Sequence, residues 1–167
     1  GIGLIPNASI TEQMAKSVSD NGGVYFVPAL TGLGAPYWDQ YARGAIIGIT
    51  RGTTAAHLTR AALEGICYQV YDVLMAMEND IHAKPKEIRV DGGAIANNFL
   101  MQFQSDICRC PVVRLAGLAI GYWKDIDELK EQWCLDKVFN PQMKEDTARK
   151  LLNEWHKAVG RSQNWAE

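Results

Sequence analysis

The sequence predicts an α/β layered domain with at least part of its sheet parallel, and three observations lead there. Short β-branched or aromatic runs ("VYFVPAL", "AIIGIT", "IRV", "PVVR") alternate with longer segments of helical period. Most turns between them are brief and rich in glycine, which favours strand–helix–strand units with parallel strands. Composition is that of an ordinary globular domain, with 47% hydrophobic and 22% charged residues over 167 positions.

In chain order, "GIGLIPNASI" has neither an initiator Met nor a signal-peptide layout and reads as the interior of a longer protein. Residues 9–20, "SITEQMAKSVSD", predict a short amphipathic helix. Ser9 is its expected N-cap, with Glu12 at capping-box spacing and Ile10, Met14 and Val18 on one face. "NGG" stops it, and "VYFVPAL" (24–30) is a strand closed by Pro28. "TGLGAPYWDQYARG" (31–44) has no period and is a long structured loop, in which Tyr37 and Trp38 either line a ligand surface or clamp the loop onto the domain. Asp39 and Arg43 are placed to pair across it, an interaction of little energetic weight at a surface.

"AIIGIT" (45–50) is a buried strand, Thr50 and Arg51 serve the turn, and Thr53 or Thr54 caps the next helix. That helix is expected to run to Asn79 with Leu63, Ile66, Cys67, Val70, Val73, Leu74 and Met77 as its core stripe. Glu64 interrupts the stripe; it either bonds a neighbouring loop or is a solvated helix-face carboxylate. After "IRVDGG" comes a helix in "NNFLMQFQSDICR", with Phe99, Phe103 and Ile107 aligned. "PVVR" (111–114) is a brief strand, "LAGLAIGYW" a small-residue helix, and "DIDELKEQW" and "KEDTARKLLNEWHKAV" are helices of the tail.

The formal net charge of −2 excludes nucleic acid or acidic lipid as a partner held by bulk electrostatics. No apolar run is long enough for a membrane span. Cys67, Cys108, Cys110 and Cys134 lack zinc spacing and read as reduced thiols, so the expected setting is cytoplasmic. His57, His82 and His156 are scattered, and no metal ligand is assigned.

The segment with chemical potential is "IRVDGGAIANN" (88–98). Gly92 and Gly93 admit positive φ and present no Cβ, so a ligand can approach the backbone closely. The following helix begins near Asn97 and offers unsatisfied amides, while Asn97 brings both a donor and an acceptor. A phosphate or a purine edge fits such a corner, and Asp91 stands ready to orient a loop amide or to attract a metal through water. The competing reading is a plain β-to-α turn with Asn97 or Asn98 as its cap. It is not a P-loop, because no G-K-[ST] follows.

The stretch "VYFVPALTGLGAPYWDQYARGAIIGITRGTTAAHLTRAALEGICYQVYDVL" resembles the C-terminal domain of the FGGY carbohydrate kinase family, and within it the glycerol kinases. Gly44, Ile46, Gly48, Ile49, His57, Leu58, Ala61, Ala62, Leu63 and Glu64 fit the family's second signature, and "VDGGAIANNFLMQFQSDI" is similar to its adenine-nucleotide loop and helix. "TGLGAPYWD" with "ARG" favours the glycerol branch over pentulose or gluconate kinases.

The resemblance implies an actin-like ATPase (ribonuclease H-like) domain, a mixed sheet flanked by helices and incomplete over residues 1–167. It implies Gly93 and Asn97 as ATP contacts, with Asp91 and Gly92 supporting. ATP and Mg²⁺ are the implied cofactors, glycerol the acceptor, and a homo-oligomer the implied assembly. The catalytic aspartate and the glycerol contacts lie upstream in the family, so no catalytic residue is assigned and the chain alone is expected to be inactive. Another FGGY kinase or a non-catalytic actin-fold module are the alternatives. In the family about a dozen residues stand between the positions of Arg114 and Leu115, where a strand here meets a helix with no turn residue; either the protein carries a deletion there or a segment has dropped out and the numbering has closed up.

Overall fold

The computed structural model describes residues 3–116 and 134–166. A 3₁₀ turn (Ala8–Ile10) leads directly into α1 (Thr11–Lys16). Asn7, not Ser9, caps this start, its Oδ1 accepting from Ser9 N at 3.1 Å. The expected Ser9–Glu12 capping box does not close, because Glu12 reaches a distant helix described below.

β1 (Tyr25–Val27) and β2 (Ala45–Ile47) form an antiparallel pair, Tyr25 opposite Ile47 and Val27 opposite Ala45. The connection between them is the glycine- and aromatic-rich loop. Thr50 and Thr53 close the next turn, the Thr50 amide donating to Thr53 Oγ1 at 2.9 Å.

α2 (Ala55–Ile81) then begins at Thr54, whose backbone N–H donates to His57 Nδ1 at 3.1 Å, so a histidine takes the place of the usual capping-box glutamate. It ends where His82 turns left-handed, at φ 52°.

β3 (Ile88–Val90) is followed by a second 3₁₀ turn (Gly93–Ala96), α3 (Asn98–Cys108) and β4 (Val112–Ala116). β3 and β4 are parallel, with Ile88 opposite Val112. β5 (Cys134–Phe139) adds antiparallel to β4, so this three-stranded sheet is mixed and ordered β3-β4-β5. β4 extends through Leu115 and Ala116, replacing the first turn of the helix expected there, and its pairing with β5 shifts register between Arg114 and Leu115. The rest of that expected helix and the "DIDELKEQW" helix lie outside the described residues. α4 (Glu145–Ser162) closes the chain, and no described helix is long and apolar enough to cross a membrane.

The core stripe expected on α2 is displaced. Leu63 and Cys67 are buried as expected, but Ile66, Val70, Val73 and Met77 are 46%, 36%, 38% and 53% exposed. The buried face instead runs through Ala61, Glu64, Gly65, Tyr68 and Asp72. The reason is close packing: a Cβ on Gly65 would lie 2.3 Å from the Phe26 carbonyl oxygen, so α2 rests against β1 on its smallest residue. Over this contact sits an aromatic stack. Tyr68 lies against Trp155 at 5.2 Å and Tyr25 at 6.0 Å, with Phe103 edge-on at 5.5 Å, joining α2, α4, β1 and α3.

Two buried carboxylates serve this packing. Glu64, 2% exposed, accepts from Arg60 Nε at 2.8 Å and from Asn21 Nδ2 at 2.9 Å, so the solvated alternative does not hold. Burial pushes its carboxyl above the ordinary value despite the Arg60 guanidinium. Asp72 accepts from Tyr37 Oη at 2.8 Å, Trp155 Nε1 at 2.7 Å and His156 Nε2 at 2.9 Å. One carboxylate thereby pins the long loop and α4 to α2.

Candidate functional site

β3 ends at Val90 and the chain must turn sharply to start α3. Gly92 makes the turn at φ 96°, ψ −179°, a conformation that a side chain would strain. Gly93 opens the 3₁₀ turn, and no atom lies within 4 Å of where a Cβ would stand on either glycine. The corner therefore faces open space. Asp91 and both glycines are exposed.

Beside the corner lies a hollow of about 490 Å³. Gly93, Ala94, Ala96 and Asn97 form one wall; Leu63 and Ile66 of α2 and Leu100 of α3 contribute others, and Ser9, Thr11 and Glu12 reach in from the start of the chain. The exposure of Ile66 on α2 follows from its place in this wall. Of the four residues expected at the site, Gly93 and Asn97 line the hollow; Asp91 and Gly92 shape the turn without lining it.

Asn97 already performs the capping role. Its Oδ1 accepts from Leu100 N at 3.0 Å and its Nδ2 donates to Thr11 Oγ1 at 3.2 Å. Each atom keeps one further hydrogen-bonding position, so cap and ligand contact are compatible. Glu12 Oε2 accepts from Asn98 N at 2.9 Å, and Lys16 pairs with the same carboxylate. Burial alone would raise the Glu12 carboxyl, but Lys16 and the Asn98 amide outweigh it and hold it below the ordinary value. Thr11 and Glu12 were not legible as site residues, because 86 positions separate each from its partner at the head of α3.

The long loop divides its expected roles. Tyr37 clamps it through Asp72, whereas Trp38 is 79% exposed at φ 50° and clamps nothing inward. Asp39 does not serve as Arg43's partner; it accepts from Tyr41 N, Ala42 N and Asn164 N, and Arg43 donates to the carbonyls of Gln40 and Ala42. A separate depression of about 420 Å³ lies between Trp38, Tyr41, Gln163 and Asn164. Among the described residues no group of three or more His, Cys, Asp or Glu is arranged to hold a metal ion.

A family model described as the C-terminal domain of the FGGY family of carbohydrate kinases matches residues 6–122. The glycerol kinase of Parabacteroides distasonis is 93% identical over 180 aligned positions, which cover 100% of this chain and 36% of that protein. The chain thus spans about a third of the length of the curated relatives it matches. The alignment exceeds the 167 residues of the chain by 13 positions. Among solved structures, Plasmodium falciparum glycerol kinase with ADP superposes at a TM-score of 0.85 and 31% identity, over 95% of this chain and 34% of that one. The ligand-bound xylulose kinase of Lactobacillus acidophilus superposes at 0.76 and 26%, over 96% and 37%.

Proposed function

The chain belongs to the FGGY family of carbohydrate kinases, and from that premise we propose that it is the ATP-binding, C-terminal part of a kinase that phosphorylates glycerol. The whole protein would transfer the γ-phosphoryl group of ATP to a glycerol hydroxyl, giving sn-glycerol 3-phosphate and ADP. The carrying observation is the open hollow walled by Gly93 and Asn97 at the carboxyl end of β3. In open α/β sheets ligands gather at that end of the strands. A flat nucleoside can lie against bare backbone there, with the free positions of Asn97 reading its polar edge. Asp91 and Gly92 hold the turn that presents them.

Phosphoryl transfer rests on positioning and charge neutralisation, with a carboxylate receiving the hydroxyl proton. We assign that base, the glycerol contacts and the Mg²⁺ ligands to no residue of this chain; Mg²⁺ enters on the phosphates of ATP. Closure of the remaining part of the protein over both substrates would exclude water as a competing acceptor. The same reading places the protein in the cytoplasm as a homo-oligomer. The 13 extra positions of the Parabacteroides distasonis relative fall, on this reading, between Arg114 and Leu115, where β4 and β5 shift register.

The test is kinetic, on the full-length protein carrying this segment. Asn97→Asp keeps an oxygen for the Leu100 amide but removes the free N–H and adds negative charge. The KM for ATP should rise about ten- to hundredfold, since one charge-affected hydrogen bond is worth about 1.5–3 kcal/mol. An unchanged KM removes Asn97 from the site. In the same assay glycerol should release ADP faster than xylulose, ribulose or gluconate, and a preference for one of those would move the protein to another branch of the family.

A further inference from the structure

The N-terminus of α3 is the obvious place for a phosphate, yet two of its first three amides are taken. Glu12 Oε2 holds the Asn98 N–H at 2.9 Å and Asn97 Oδ1 holds the Leu100 N–H at 3.0 Å. Among the described residues lining the hollow, Glu12 carries the only formal charge, and it is negative. The remaining walls near it are apolar or small: Leu63, Ile66, Ala94, Ala96 and Leu100. Of the nearby cations, Arg114 donates to the Ile95 carbonyl at 3.2 Å in the 3₁₀ turn, and two lysines line a different depression of about 440 Å³. Lys16 is paired with Glu12, and Lys137 donates to Asn98 Oδ1 at 3.0 Å.

We propose, resting on the nucleotide-site reading above, that Glu12 is a specificity-determining residue of the hollow. Its carboxylate occupies the helix mouth and bars anions, so the uncharged base enters and the phosphates are directed away from α3. An anion placed in the hollow would meet a like charge and find these two amides already used. A heterocycle meets apolar walls and the free positions of Asn97. Thr11 completes the arrangement by accepting from Asn97 Nδ2 and fixing which way that amide points.

The experiment separates the two ends of the nucleotide. The ¹⁵N-labelled chain is titrated with adenosine and, separately, with tripolyphosphate, and amide shifts are followed by NMR. Adenosine should move Gly93, Ala94, Ala96 and Asn97, while tripolyphosphate leaves them and Leu100 in place. In Glu12→Gln, whose side-chain oxygen still accepts from Asn98 N, tripolyphosphate should bind at this corner about tenfold more tightly, the effect of about 1.4 kcal/mol of relieved repulsion. A purely structural role for Glu12 would give no such gain. Tripolyphosphate moving Gly93 and Asn97 in the wild type as strongly as adenosine overturns the role of Glu12, as does a Gln variant with no gain; both leave the nucleotide site standing. Adenosine and tripolyphosphate both failing to move residues 93–97 in the wild type defeats the site reading and this inference together. If the Gln variant does not fold, the wild-type contrast between the two probes decides alone.

Discussion

Trp155→Ala should lower the unfolding free energy by about 3–5 kcal/mol, the range for removing a large buried aromatic side chain. Trp155 is fully buried and stacks on Tyr68, so truncation leaves a cavity between α2 and α4. It also takes the indole N–H from Asp72, a carboxylate 5% exposed that then keeps only Tyr37 and His156 as the donors described for it. Loss of a donor to a buried charge costs more than a neutral hydrogen bond. Trp155→Phe isolates that part: the stack largely remains, and the deficit should fall to about 1.5–3 kcal/mol. Urea unfolding of the three proteins checks the order. Equal stability of Trp155→Phe and wild type would mean that the Asp72 node contributes nothing.

Gly65→Ala should destabilise by about 1–3 kcal/mol, a large effect for a single methyl group. In an exposed helix the same change stabilises by about 0.5–1 kcal/mol, because glycine is the poorer helix former. Here the new Cβ would stand 2.3 Å from the Phe26 carbonyl oxygen, and the backbone on both sides must separate. Gly160 in α4 is the internal control, since no atom lies within 4 Å of its Cβ position. Gly160→Ala should therefore raise the melting temperature while Gly65→Ala lowers it. Two changes of the same sign would show that α2 does not rest on β1 as described.

These two positions also mark what a sequence can and cannot reveal here. Helices α2, α3 and α4 were readable because apolar residues recur at helical period, and the turn at 91–93 because a strand pattern stops at adjacent glycines. Which face of α2 is buried was not readable. Val70, Val73 and Met77 continue the apolar stripe, yet Gly65 decides the contact through its size, a property that periodicity does not register. Glu64 and Asp72 look like solvated charges until Asn21, 43 positions upstream, and Trp155, 83 positions downstream, supply their donors.

The candidate site divides in the same way. Gly93 and Asn97 are four residues apart and were legible together as a loop and a cap. Thr11 and Glu12 come from the far end of the chain. Locally, Glu12 has the spacing of a capping-box residue for α1, and it does cap a helix, but that helix is α3. Local pattern identified the chemistry of the side chain and missed its address.

The central claim is that an adenine nucleotide occupies the corner between β3 and α3. Photolabelling with 8-azido-ATP, followed by peptide mapping, tests it most directly. The label should fall on the peptide carrying Gly92–Asn98 or on the facing wall at Leu63 and Ile66, and excess ATP should suppress it. Labelling confined to the Trp38–Tyr41 and Gln163–Asn164 depression, with residues 92–98 unmodified, would contradict the account.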